Sequence, residues 1–276
     1  MDKQHTLKTA ISYAGVGLHS GREVRMTLCP APVETGILFR RVDQAGRPEV
    51  QASAANVTST VRATTIEANG TKFFTIEHLM SAFSAAGIDN CVVELDAEEP
   101  PVGDGSALVF LDLLQEAGKK EQAAPHPSVI IDQVFRVDDE DRFIMALPYD
   151  GLRVTFTSLN PHPLVGIQYA DVIIDEASYR REIAPARTIA YEKEIDALRQ
   201  MGLGLGGTLE NVIVYNDEKW LNTLRYPDEL VRHKILDVIG DLRLAGTVRG
   251  HIIAVKSAHA LNTALARKIY DAYAVR

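Results

Sequence analysis

The sequence is poor in cysteine and in positive charge, and it has no long apolar run. Cys29 and Cys91 are its two cysteines, too few for a disulfide framework, so a reducing, cytoplasmic setting is expected. Acidic residues outnumber basic ones by 37 to 29, and the net charge of -8 argues against a general nucleic-acid binder. An anionic ligand would need a local basic pocket instead. No stretch approaches the roughly 18 apolar residues of a membrane span, so no integral membrane segment is expected. A lipid-like substrate would be met from the soluble side. The opening stretch MDKQHTLKTAISYAG has no apolar core behind its lysines and is not read as a signal peptide.

What is present is a core-forming composition. Of 276 residues, 46% are hydrophobic and 24% charged, enough for one large domain or two of ordinary size. The most informative stretch is 231–244, VRHKILDVIGDLRL. At helical period Val231, Ile235, Val238, Ile239 and Leu242 form an apolar stripe. His233, Asp237 and Asp241 follow one another at four-residue intervals on a second face. A His and an Asp one turn apart can grip one metal ion from the same side. Asp241 lies a turn further and is better placed to orient another group. The plainer reading is a surface helix with His–Asp pairing.

Along the chain, 14–21 is a glycine-punctuated turn carrying His19, whose spacing is not that of a dinucleotide fingerprint. Segments 62–67 and 72–74 read as strands. Residues 75–87 read as a short helix with Thr75 as N-cap and Gly87 as C-terminal stop. A buried strand at 90–95, a loop at 98–105 and a helix at 106–118 follow. The stretch 123–127, AAPHP, reads as a linker. Beyond it, 129–137, 143–147 and 152–157 read as a strand meander, and 160–163 as a rigid turn. Then come a helix at 192–201, an apolar glycine-rich loop at 201–207, and a strand at 212–215. The helix at 231–244, a strand at 251–256 and a last helix at 258–273 complete the chain.

The two halves share an order of elements: strands, a helix, a glycine, a strand and a closing helix. Each half has a histidine early in its first helix, His78 in one and His233 in the other. This order predicts an α+β protein of two similar domains, 1–124 and 127–276, each a sheet layered with helices, with helices packed at the domain interface. That packing would bring the two histidine-bearing helices together, at a favoured place for a site.

If His78, His233 and Asp237 converge, three protein ligands leave a fourth position open, as in a catalytic zinc site. Ferrous iron could use the same ligands. Glu77 adjoins His78 and is not needed as a ligand, so it can take a proton from water. A metal lowers the pKa of water from ~15.7 toward ~7, which lets a carboxylate serve as base. This chemistry points to hydrolysis of an amide or ester, and the spacing is not that of a zinc protease. His259 could be the charged partner that assists a leaving amine, with Asp241 holding it protonated; an ordinary helix N-terminal histidine is the alternative.

At these residues the chain resembles the UDP-3-O-acyl-N-acetylglucosamine deacetylases of lipid A biosynthesis. The matching motifs are GVGLHSG at 15–21, IEHLMSA at 76–82, DGSA at 104–107, IAPART at 183–188, VRHKILDVIGD at 231–241 and KSAHALN at 256–262. The resemblance implies a cytoplasmic, monomeric zinc amidase that removes the N-acetyl group from a UDP-linked acylated glucosamine. It implies zinc ligands at His78, His233 and Asp237, a general base at Glu77, and Thr188 on the oxyanion. It also implies His259, supported by Asp241, as the cationic acid. Lys234 and Lys256 would contact the polar or diphosphate part of the substrate, and His19 would also touch it. The resemblance further implies a small insert in each half. The second insert, about 189–215, would form a hydrophobic passage for the acyl chain, with Ile189 and Gly204 in its wall. Long acyl chains bind strongly there because each buried methylene contributes ~0.8 kcal/mol. Two motifs depart from the family: Ile189-Ala190 replaces Phe-Gly, and Ala258 replaces a glycine. The departures keep open a non-catalytic nucleotide-sugar binder and a deacetylase of another acylated amino sugar. The chain ends soon after its last expected helix, so no fused dehydratase domain is expected.

Overall fold

A computed structural model describes residues 3–273. Six α-helices punctuate the described residues: α1 (Glu77–Ala86), α2 (Leu108–Ala117), α3 (Glu176–Ser178), α4 (Glu192–Gln200), α5 (Glu229–Leu242) and α6 (His259–Tyr273). The first half holds a five-stranded sheet in the order Ile11–Val16, Glu23–Pro30, Cys91–Leu95, Ile37–Arg41, Glu49–Gln51. The second holds a sheet whose main path runs Phe135–Asp139, Arg142–Leu147, Thr247–Val255, Leu152–Leu159, Ile167–Ile174, with Ser128–Ile130 pairing separately on Thr247–Val255.

The two paths have one topology. In each, the last strand in sequence sits between the second and third, antiparallel to the former and parallel to the latter. In each, a helix (α1 or α5) precedes that last strand and another (α2 or α6) follows it. The inserts also fall at equivalent places, between the fourth strand and the first long helix. The first is the three-stranded sheet Val57–Ser59, Thr65–Ala68, Thr71–Phe73. The second contains a βαβ unit, α4 flanked by the parallel strands Ile189–Tyr191 and Ile213–Tyr215.

Helices α1 and α5 pack on each other, with α2 against α1 and α6 against α5. Leu79, Met80, Phe83, Val231, Ile235, Val238 and Ile239 belong to one continuous core with side chains of both sheets. α5 is therefore not a surface helix. His233, Asp237 and Asp241 are as buried as its apolar stripe. The crossing depends on Gly240, where an added Cβ would lie 2.0 Å from the Glu77 carbonyl oxygen.

Three local expectations are corrected. Thr75 does not cap α1: its φ is +55°, and its hydroxyl donates to Glu99 Oε1 at 2.8 Å. The helix begins after Ile76 with no side-chain cap, while Gly87 ends it in the left-handed region as expected. Residues 123–125 are not linker; they finish the strand Lys119–Pro125, which pairs antiparallel with Lys3–Leu7. Alanine and proline carry little strand propensity, so only the partner strand reveals this pairing. The expected strand at 129–137 is two strands, because Ser128–Ile130 and Phe135–Asp139 pair with different neighbours. The edge strand Ile167–Ile174 and α3 were not predicted at all.

Gly240→Ala should destabilise the fold by ~1–3 kcal/mol, since backbone rather than a flexible side chain must move aside. Urea unfolding at unchanged m-value measures it.

Candidate metal centre and its cavity

The crossing of α1 and α5 sets the site. His78 lies in the first turn of α1; His233 and Asp237 lie one turn apart on α5. One ligand atom from each falls within 4.8 Å of the other two. Asp237 Oδ1 is 3.4 Å from His233 Nε2 and 3.8 Å from His78 Nε2. The imidazoles meet edge to face, centroids 5.0 Å apart. His233 Nδ1 lies 3.1 Å from the Ala186 carbonyl oxygen, so Nδ1 carries the proton and Nε2 offers its lone pair. Asp237 Oδ2 accepts from Lys234 Nζ at 2.9 Å, whereas Oδ1 is buried with no hydrogen-bond partner. A buried carboxylate oxygen left without a donor, beside two imidazole nitrogens, fits a divalent cation.

Burial and the neighbouring His233 push His78 down to about 3, and burial also lowers His233, so both are neutral, as ligands must be. Burial alone would raise Asp237, but His233 and Lys234 outweigh it and hold it ionised.

A second set of groups surrounds this one. Burial pushes Glu77 up to about 7, against the lowering pull of His259. Its Oε2 accepts from the Thr64 amide at 3.1 Å, and its Oε1 is 3.8 Å from His259 Nε2. His259 Nδ1 pairs with Asp241 Oδ2 at 2.9 Å. Burial opposes the His259 cation, but Asp241 and Glu77 prevail and raise it to about 10. Asp241 is itself clamped by the Thr64 hydroxyl at 2.5 Å and the Asn262 amide at 2.9 Å. Nothing in the local sequence marks Thr64, and Asn262 closes the motif at 256–262 with no sign there of its partner.

Beside these groups opens a cavity of about 550 Å³. Glu77, His78, His233, Lys234, Asp237 and His259 line one region of its wall, with Thr188, Ile189, Gly204 and His19. The insert adds Ile195, Leu198, Leu203 and Val212. Ala190 and Ala258, like Ile189 positions that depart from the resembled family, also line the cavity. The loop at 203–207 is sewn to the first-half turn: Leu205 and Gly206 amides donate to the His19 and Leu18 carbonyls, and the Gly204 amide donates to His19 Nδ1. His19 Nε2 is buried without a hydrogen bond. Lys256 stands apart. It does not line the cavity, and its ammonium pairs with Asp141.

The arrangement offers a three-ligand cation site, a buried carboxylate of raised pKa, a charged imidazole facing it, and an apolar chamber. Comparison with known proteins finds relatives along nearly the whole chain. A family model described as UDP-3-O-acyl N-acetylglycosamine deacetylase (LpxC) matches residues 4–271. A UDP-3-O-acyl-N-acetylglucosamine deacetylase of Hahella chejuensis is 46% identical over 274 residues, covering 98% of this chain and 91% of its own. Its counterpart in Marinobacter nauticus is 45% identical, covering 98% and 90%. That of Alcanivorax borkumensis is 44% identical over 283 residues, covering 100% and 93%.

Asp241→Asn should lower the His259 pKa toward the ordinary imidazole value, since it removes the largest interaction favouring the cation. A ring-proton NMR titration of the metal-free protein reads this directly; an unmoved pKa would contradict it.

Proposed function

The chain belongs to the UDP-3-O-acyl N-acetylglycosamine deacetylase family, and from that membership we propose that it hydrolyses the N-acetyl amide of UDP-3-O-acyl-N-acetylglucosamine, the committed step of lipid A biosynthesis. The products are acetate and the free amine. The observation that carries the reading is the meeting of His78, from one half, with His233 and Asp237, from the other, at the wall of an apolar cavity.

In this reading the three side chains hold zinc. Bound there, the ion supplies Lewis acidity toward the amide carbonyl and acidifies water. The remaining work belongs to the chain's own groups. Glu77, whose pKa is raised to about 7, takes a proton from the attacking water. The Thr188 hydroxyl donates to the oxyanion as the carbonyl carbon becomes tetrahedral. His259, charged because Asp241 and Glu77 face it, protonates the nitrogen as the C–N bond breaks. Lys234, on the same wall, adds positive charge where negative charge develops. The acyl chain lies in the insert's apolar passage, where Ile189, in place of a phenylalanine, and Gly204 shape the wall. His19 contacts the substrate beside them. Lys256 would reach the diphosphate by giving up Asp141. The protein acts as a cytoplasmic monomer.

Acetate release should stop with a chelator and return on zinc add-back. Glu77→Ala should bind zinc yet lose ~10²–10⁴-fold in kcat; unchanged turnover would overturn the base assignment. Glu77 must be ionised, so activity rises with pH through its pKa. His259 must be protonated, so activity falls as pH climbs toward its own, about 10. His259→Gln should lower kcat and erase this basic limb of the profile.

A further inference from the structure

Behind the cavity wall lies a buried ion pair that none of the roles above uses. Arg187 and Glu229 are 7% and 1% exposed, and neither lines the cavity. The Glu229 carboxylate takes Arg187 Nε at 2.9 Å and Arg187 Nη2 at 3.2 Å. It also takes two backbone amides, Arg187 N at 3.1 Å and Arg225 N at 2.5 Å. The same guanidinium donates to the Thr223 carbonyl at 2.7 Å.

The neighbours of the pair give it meaning. Glu229 opens α5, one turn before His233. Arg187 stands between Ala186, whose carbonyl accepts from His233 Nδ1, and Thr188, which faces the cavity. Thr188 is tied on both sides, its amide to the Gly105 carbonyl at 2.9 Å and its carbonyl to the Ile213 amide at 2.8 Å. A buried ion pair adds little net stability over an apolar packing of the same volume, but its bidentate fork fixes distance and angle.

We propose that Glu229 and Arg187 are positioning residues, a clamp that locks the 186–188 segment to the first turn of α5. Through it the Ala186 carbonyl orients His233 toward the metal, and the Thr188 hydroxyl is held at a fixed place relative to that metal. The clamp touches no reacting atom. For its effect on turnover, the inference rests on the deacetylase reading; for its effect on metal affinity, it does not.

The test uses Glu229→Gln, which keeps shape but turns one acceptor into a donor facing donors, and Arg187→Lys, which keeps charge but loses the fork. Zinc affinity, read by chelator competition on the apo-protein, should fall ~10–100-fold, as when the partner of a ligating histidine is lost. kcat should fall with KM changed less than threefold. In a cycle with Thr188→Ala, the double variant should be little worse than Thr188→Ala alone, because the clamp acts on turnover through that hydroxyl. A merely structural defect would lower the melting temperature and multiply with Thr188→Ala. That multiplication, or wild-type zinc affinity and kcat in both variants, would overturn the proposal. If Glu229→Gln fails to fold, Arg187→Lys decides alone. A wild-type protein that binds zinc but releases no acetate would overturn the reaction instead, leaving the clamp to be judged on affinity.

Discussion

Everything at the site hangs on one close approach, that of α5 to the start of α1 at Gly240. No side chain fits between the two backbones there. With the helices this near, His78 and Asp237 reach one another across the crossing, and His233 follows one turn earlier on α5. The same approach sets Glu77 near His259, because α6 packs on α5 and carries that histidine at its start. Were the helices a side chain further apart, the imidazoles would still be buried, but no cation could touch all three groups.

Such a crossing concentrates ionisable groups where water is scarce, and the structure keeps them compatible by pairing. Asp241 stabilises the charge on His259 and is itself held by Thr64 and Asn262. Lys234 stabilises Asp237 on one oxygen and leaves the other available. Glu77 receives least help, a single backbone amide and a more distant imidazole, and its pKa rises accordingly. Glu77 is thus the group of this set whose charged form is least stabilised, a pattern suited to acid–base work near neutrality.

The parts of this arrangement legible in the sequence are those with local signatures. The i, i+4 pairing of His233 and Asp237, the His78 that follows Glu77, and the parallel order of elements in both halves could all be read before any coordinates. They led to helices packed across an interface, which is what is found. What escaped reading has no local signature. Thr64 reaches Asp241 across 177 positions, and Glu229 reaches Arg187 across 42; neither separation leaves a periodic trace. Thr75 resembles a cap in sequence, yet its hydroxyl is taken by Glu99. Residues 123–125 look like a tether until their partner strand at the N-terminus is in view. Lys256 stands three residues from a motif histidine, yet it does not line the cavity, and its ammonium pairs with Asp141.

The shared strand order of the two halves has a further consequence. α1 and α5 are corresponding elements, and corresponding elements touching one another is the geometry of an isologous contact. Two separate, identical chains joined that way would be obliged to present the same groups twice, face to face. Inside a single polypeptide the two sides can diverge, one offering a carboxylate next to its imidazole and the other offering one a turn beyond. Broken symmetry, rather than any feature of either half alone, is what lets a repeated pair of scaffolds hold one asymmetric cluster of groups.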